Sequence, residues 1–282
     1  MRFFESAERL LESVDAVVVC SENRRHAGGV IPALRAGVDV LCEKPISTTV
    51  EDAHEMIRAA EETGQRFGIA FPVRHAPAVR RAREIVRSGA IGRVLAVNGT
   101  NHGQPPGGWV LDPEMSGGGA VMDHTVHVAD LLRWIFAREI VSVYAEIDTR
   151  IHPGLPVDDI GMLLLDLEGG LPASLDASWS RPKSWPIWGG LTMDVIGDRG
   201  VISMNAFNQN LQLFDDRRGS YTLQAWSEGG DPGLVRSFID AIRNDTTPAV
   251  TGEDGLHAVE VALCAYESAR RREPVACPAI LG

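Results

Sequence analysis

Three short apolar runs in the first seventy residues leave few options for how this chain folds. They are Val14-Asp15-Ala16-Val17-Val18-Val19-Cys20, Val38-Asp39-Val40-Leu41-Cys42 and Arg66-Phe67-Gly68-Ile69-Ala70-Phe71. Near-continuous β-branched and aliphatic runs of this length mark strands buried on both faces of a parallel sheet. Helical spacing separates them: Ala27, Val30, Ile31, Ala33 and Leu34 end at Gly37, where a C-cap glycine belongs, and Ala53, Met56, Ile57 and Ala60 end at Gly64. Thr49 with Asp52 three positions on is a loose capping box for the second of these helices. Residues 1–72 therefore read β-α-β-α-β, part of a doubly wound fold.

The second run ends abruptly in Glu43-Lys44-Pro45. Pro45 fixes its own φ and removes a backbone donor, so the strand stops there and Lys44 sits on a stiff corner. In an open α/β sheet the carboxyl ends of the strands are where ligands bind.

The texture changes near Gly92. A helix over 76–88 closes the first part, and a strand over 93–102 opens the second. Gly103 to Ser116 is a Gly/Pro-rich loop that carries Trp109, followed by an apolar helix over about 118–136. Strands are expected near 140–150, 158–167, 171–180, 190–196, 199–204, 210–215 and 220–225, without intervening helices, as in antiparallel hairpins. Two helices, near 232–244 and 252–272, close the chain. The fold class is α/β plus α+β: an incomplete doubly wound, Rossmann-like parallel sheet in residues 1–72, then in 73–282 an open, mainly antiparallel β-sheet backed by helices.

The formal net charge of -11, with no basic run, argues against nucleic acid as a partner. No apolar stretch approaches the ~20 residues that span a bilayer, and no signal peptide is visible, so no membrane partner is expected. Cys20, Cys42, Cys264 and Cys277 are scattered, which suits a reducing cytoplasm better than a disulfide framework or zinc knuckle.

The second informative stretch is Gly117-Gly118-Gly119-Ala120-Val121-Met122-Asp123-His124-Thr125-Val126-His127. Three glycines at a helix start let the backbone approach another group closely and leave N–H donors free. Asp123 and His127 are four apart and share a helix face, so they read either as a carboxylate-oriented general base or as a helix-surface pair. His124 and His127 also raise a metal, but Asp123 and His124 diverge as sequence neighbours and no second ligand cluster is evident, so no metal site is expected.

These stretches resemble the Gfo/Idh/MocA family, the glucose–fructose oxidoreductase and inositol dehydrogenase group. Cys42-Glu43-Lys44-Pro45 is similar to its Glu-Lys-Pro signature, Gly117 through His127 to its glycine run with Asp-x-x-x-His, and Asn23 with His26 to its Thr-Pro-Asn-x-x-His turn. Ser237 to Ile242, Pro248 and Thr251 to Gly255 resemble its closing helices. The resemblance implies an NAD- or NADP-dependent oxidoreductase that moves a hydride between the cofactor and a sugar, polyol or related alcohol. It makes Lys44 an acid/base group and His127 the acceptor of the substrate's hydroxyl proton, oriented by Asp123. It places Ser21, Asn23, His26, Glu43, Lys44 and Pro45 on the cofactor side, with a cis Lys44–Pro45 peptide. Arg74, Trp109 and His124 become substrate-side candidates; for Arg74 and Trp109 a salt-bridging and a packing role stay equally open. It also implies a homo-oligomer assembled through the open sheet, whose Leu163, Leu165, Leu167 and Leu175 read either as that contact face or as core.

The sequence departs from the family in one respect. The family's opening strand, Gly-x-Gly-x-x-Gly turn and second strand have no counterpart; Gly28 and Gly29 fall inside a helix after the wrong strand. On that pattern roughly sixty residues would precede Met1. The 14–20 strand then becomes an apolar edge. The alternative reading is a truncated, catalytically impaired member that serves as a binding or oligomeric subunit.

Overall fold

The computed structural model describes residues 3–185, 187–207, 210–215, 220–225 and 229–277. A short helix α1 (Ala7–Leu11) leads into β1 (Ala16–Val19), α2 (His26–Arg35), β2 (Asp39–Glu43), α3 (Val50–Thr63) and β3 (Phe67–Ala70). The three strands form a parallel sheet in the order β1-β2-β3, with Val17 opposite Val40 and Cys42 opposite Ile69. β2 is buried along Asp39–Cys42, as a strand covered on both faces must be. β1 is the edge of this sheet, and Val18 is 59% exposed. Gly37 and Gly64 adopt φ of 80° and 70° just past α2 and α3, the left-handed conformation that ends a helix at least cost to glycine. The Thr49 hydroxyl accepts from the Asp52 N–H.

Next come α4 (Pro77–Arg87), β4 (Val94–His102), the one-turn α5 (Pro113–Ser116) and α6 (Ala120–Phe136). Then follow β5 (Ile140–Asp148), β6 (Ile160–Leu167), β7 (Leu171–Asp176), β8 (Gly190–Gly197), β9 (Gly200–Asn205), the hairpin β10 (Asn210–Asp215) and β11 (Ser220–Ala225), α7 (Gly230–Arg243), α8 (Gly252–Arg271) and β12 (Val275–Ala276). A seven-stranded sheet runs β12-β5-β6-β7-β4-β8-β9, antiparallel except where β4 pairs with β7. The fold class read from the sequence is the fold observed.

Alternation decides which face of the large sheet is core. Leu163, Leu165, Leu167 and Leu175 point inward and are at most 1% exposed, so the contact-face reading of these four is corrected: they are core. Their neighbours Met162 and Leu164 carry the open face, at 50% and 60% exposure. On the inner face lies α6, buried from Ala120 to Met122 and again at Val126, Val128, Leu131, Leu132 and Ile135. One continuous core links this helix with residues of the small sheet, such as Val40, Cys42 and Ile69. On the small sheet's other side, Leu234 and Phe238 of α7 close over Leu41 and Ala70. Among the described residues no helix is long and apolar enough to cross a membrane.

Candidate active site

Two chain segments meet at the carboxyl end of the small sheet. The first is the corner after β2. Its Lys44–Pro45 peptide is cis, and Lys44 leaves the corner toward α6. The second is the start of α6. Lys44 Nζ donates to Asp123 Oδ1 at 2.6 Å, with the two side chains 18% and 13% exposed. The Asp123 carbonyl lies 3.4 Å from the same nitrogen. The other carboxylate oxygen, Oδ2, accepts from the indole N–H of the fully buried Trp179 at 3.3 Å. Burial alone would raise the Asp123 carboxyl; the Lys44 ammonium, and after it His124, outweighs burial and holds the group well below the usual carboxylate range. Asp123 is thus a fixed anion that clamps the lysine.

The glycine run explains how α6 gets so close. A Cβ on Gly118 would sit 2.1 Å from the Tyr266 hydroxyl oxygen, and one on Gly119 would sit 2.0 Å from the Asp158 carbonyl oxygen. Gly117, at φ 79°, faces Thr48. The expectation of free N–H donors here is corrected. Gly119 N and Val121 N both donate to the Asp158 carboxylate at 2.8 Å, and Gly119 N and Met122 N donate to Tyr266 Oη at 3.1 and 3.2 Å. Tyr266 in turn donates to Asp158 at 2.8 Å. A carboxylate at a helix N-terminus satisfies orphan donors and complements the dipole, so this end of α6 is already occupied.

His127 lies about 6 Å further along α6 than Asp123, given 1.5 Å rise per residue. Its ring meets Phe71 edge-on at 5.8 Å, and its buried Nδ1 has no hydrogen-bond partner. Burial and then the Lys44 ammonium push its pKa well below the ordinary imidazole value, against the pull of Asp123. The expected Asp123–His127 pairing is therefore corrected: Asp123 is committed to Lys44 and Trp179, and His127 is a neutral imidazole within their field. The histidine nearest Asp123 is His124, whose Nε2 is 3.4 Å from Oδ2. His124 is 2% exposed and its Nδ1 faces the Ala177 carbonyl at 3.0 Å, which removes it from the substrate side. Its ring is packed edge-on by Trp179 and Trp188.

A cavity of about 220 Å³ opens beside Lys44 and Asp123. Ser21, Asn23, Glu43, Lys44 and Pro45 line one side, and Trp109, Gly118, Gly119 and Met122 line the other. Asn23 is fixed there by donating to the Ser116 carbonyl at 2.8 Å. Four candidates do not line it: His124 and His127, placed above, and His26 and Arg74. His26 is fully buried, with Nδ1 2.9 Å from the Pro45 carbonyl and Nε2 3.1 Å from the Ser21 carbonyl, so it ties together the two loops that carry the site. Arg74 is not on the substrate side: it is 4% exposed, and its Nε donates to Asp130 at 2.8 Å while Nη2 reaches Asp254 at 3.0 Å. Of its two readings, the salt-bridging one holds. Among the described residues no group of three metal-ligating side chains converges.

A lysine at the carboxyl end of a parallel sheet is thus clamped by a carboxylate from the glycine-led helix that backs the second sheet. The chain belongs to the Gfo/Idh/MocA family. Residues 1–71 match the oxidoreductase family's NAD-binding Rossmann fold, and residues 79–203 match the GFO/IDH/MocA C-terminal domain. It is 31% identical to 1,5-anhydro-D-fructose reductase of Ensifer adhaerens over 271 residues, covering 91% of this chain and 78% of that protein. It is 27% identical to myo-inositol 2-dehydrogenase of Thermotoga maritima over 293 residues, covering 99% of this chain and 85% of that one. The crystal structure of aldose-aldose oxidoreductase from Caulobacter crescentus complexed with glycerol superposes with a TM-score of 0.81 at 25% identity, covering 97% of this chain and 83% of that one. The chain is an NAD(P)-dependent dehydrogenase of this type, with NAD or NADP as its cofactor.

The residues present suit the nicotinamide–ribose end of such a cofactor. The cavity is apolar toward Met122 and Pro45, and Ser21, Asn23 and Glu43 converge on it. Among the described residues no glycine turn between strand and helix cradles a pyrophosphate: Gly28 and Gly29 lie inside α2, where a Cβ on Gly29 would press on Val19 at 3.2 Å.

Proposed function

We propose that the protein oxidises or reduces a sugar, polyol or related alcohol at the Lys44–Asp123 cleft. The observation that carries this reading is the 2.6 Å ion pair between a strand-end lysine and a helix carboxylate beside a cavity of about 220 Å³. Bound NAD(P) would supply hydride transfer at the alcohol carbon. Ser21, Asn23, Glu43 and Pro45 would hold its reactive end.

Lys44 places the alcohol oxygen and stabilises the negative charge that grows on it as its proton leaves. Asp123 keeps the ammonium in place, and Trp179 keeps Asp123 in place. His127, held neutral, retains a free lone pair and takes the hydroxyl proton in the oxidising direction, then returns it in the reverse. The names of the relatives support a sugar or polyol substrate, since they include an anhydrofructose reductase and an inositol dehydrogenase. Trp109, 40% exposed at the cavity rim, offers a flat apolar surface to a sugar ring.

The domain division runs near residue 72, and the proposed site takes Lys44 from the first part and Asp123 from the second. Met162 and Leu164 on the open sheet support a homo-oligomer built through that face. Four unbridged cysteines are in keeping with a cytoplasmic setting.

The test is a panel of sugars and polyols with NAD and with NADP, followed by the absorbance of the reduced cofactor. One substrate class should turn over, and Lys44→Ala should lower kcat by about 100- to 10,000-fold while circular dichroism stays unchanged. An unchanged rate in Lys44→Ala removes the lysine from the mechanism.

A further inference from the structure

A cavity of about 550 Å³, larger than the one at Lys44, lies in a groove between α4 and α7. Its chemistry is unlike the rest of this acidic chain. Arg80 and Arg83 line it from α4, Arg236 lines it from α7, and Arg74 and His75 line it from the turn after β3. The carboxylates at its wall are Glu84, which pairs with Arg81 at 3.0 Å, and Asp240. The Arg74 charge is met by Asp130 and Asp254.

Arg83 is preorganised. Its guanidinium stacks on Trp134 at 4.1 Å, and its Nε donates to the Trp134 carbonyl at 3.2 Å, so the plane of the fork is fixed. Arg80, exposed beside it, makes no ion pair among the described residues. His75 Nε2 is buried without a hydrogen-bond partner. A buried polar atom without a partner is costly, and a small turn of the His75 ring, which lines the groove, would offer it to a ligand atom.

We infer that the α4–α7 groove is a second binding site, separate from the Lys44 cleft, for a small multiply charged oxyanion bearing phosphate or carboxylate groups. Guanidinium forks match the planar and trigonal faces of such groups, and His75 supplies the additional polar contact. The volume is in the range of small-metabolite sites. Arg74 links the two places. It lines the groove, and it holds Asp130, three residues past His127 on the same helix. An occupant of the groove therefore sits one side chain away from α6, where an effector of the reaction would act.

Isothermal titration with pyrophosphate and, separately, with citrate at low ionic strength tests this on the wild type, Arg80→Glu, His75→Phe and Lys44→Ala. Saturable one-site binding of at least one probe is expected. It should weaken at least about tenfold in Arg80→Glu, weaken also in His75→Phe, and stay intact in Lys44→Ala. Pyrophosphate alone would mark a phosphorylated ligand, citrate alone a polycarboxylate. No saturable binding of either probe, binding unmoved by Arg80→Glu, or binding abolished by Lys44→Ala overturns the inference.

Discussion

Removing the Asp158 carboxylate should loosen the start of α6 and, through it, the active site. In the structure this one side chain accepts from Gly119 N, Val121 N and the Tyr266 hydroxyl, each at 2.8 Å. Hydrogen bonds to a charged group contribute about 1.5–3 kcal/mol each when the partner would otherwise be left bare. A carboxylate at a helix N-terminus adds about 0.3–1 kcal/mol of dipole interaction. The contacts share one anion and are not additive, so Asp158→Ala should cost about 3–5 kcal/mol. Asp158→Asn keeps one acceptor oxygen and should cost about half as much. Against a total stability of about 5–15 kcal/mol either loss is large. Urea titration followed by fluorescence measures it directly, with Tyr266→Phe as the second arm of a double-mutant cycle. The two side chains share the Gly119 N–H and bond each other, so the double variant should lose less than the sum of the singles. A loss below about 1 kcal/mol in Asp158→Ala, or strict additivity with Tyr266→Phe, would refute the claim that this pair anchors the helix.

Three further outcomes are expected. His127 has a folded pKa well below its unfolded value of ~6.5, so the unfolded chain takes up the proton first as pH falls. Its contribution to stability is present above that value and is lost below it, by up to about 1.4 kcal/mol per pH unit. The loss of stability from pH 7 to 6 should therefore be shallower in His127→Gln; an identical slope would place the titration elsewhere. Asp130 acts oppositely: burial, opposed by Arg74, raises it to about 6, so the folded chain holds that proton first and gains stability as pH falls from about 6 toward 4. On the open sheet, Leu164→Glu should leave the protomer folded and shift sedimentation to smaller species; an unchanged sedimentation coefficient would refute a subunit contact through this face.

Local pattern and long-range contact were not equally legible in the sequence. The β-α-β-α-β order could be read because its apolar runs and helical spacing are local. So could the Lys44 corner, since Pro45 stops a strand wherever it stands, and the glycine-led helix carrying Asp123. What Asp123 does was not readable. The i, i+4 spacing pointed to His127, but the carboxylate is taken by an amine from 79 positions away and an indole from 56. Asp158 and Tyr266 gave no local signal at all; the one hint was indirect, since glycines that need close approach must have something approaching them. Arg74 followed the same logic, its partners lying on two distant helices. Leu163, Leu165 and Leu167 showed the alternation plainly, and only the position of α6 decided which face was inside.

The proposed chemistry is direct hydride transfer in the Lys44–Asp123 cleft. The measurement that meets it head-on follows deuterium from the carbinol carbon of the substrate identified in the panel into the reduced nicotinamide. Direct transfer puts one deuterium on the nicotinamide ring and none acquired from heavy water. Label lost to solvent, or a ring hydrogen drawn from solvent, would contradict it.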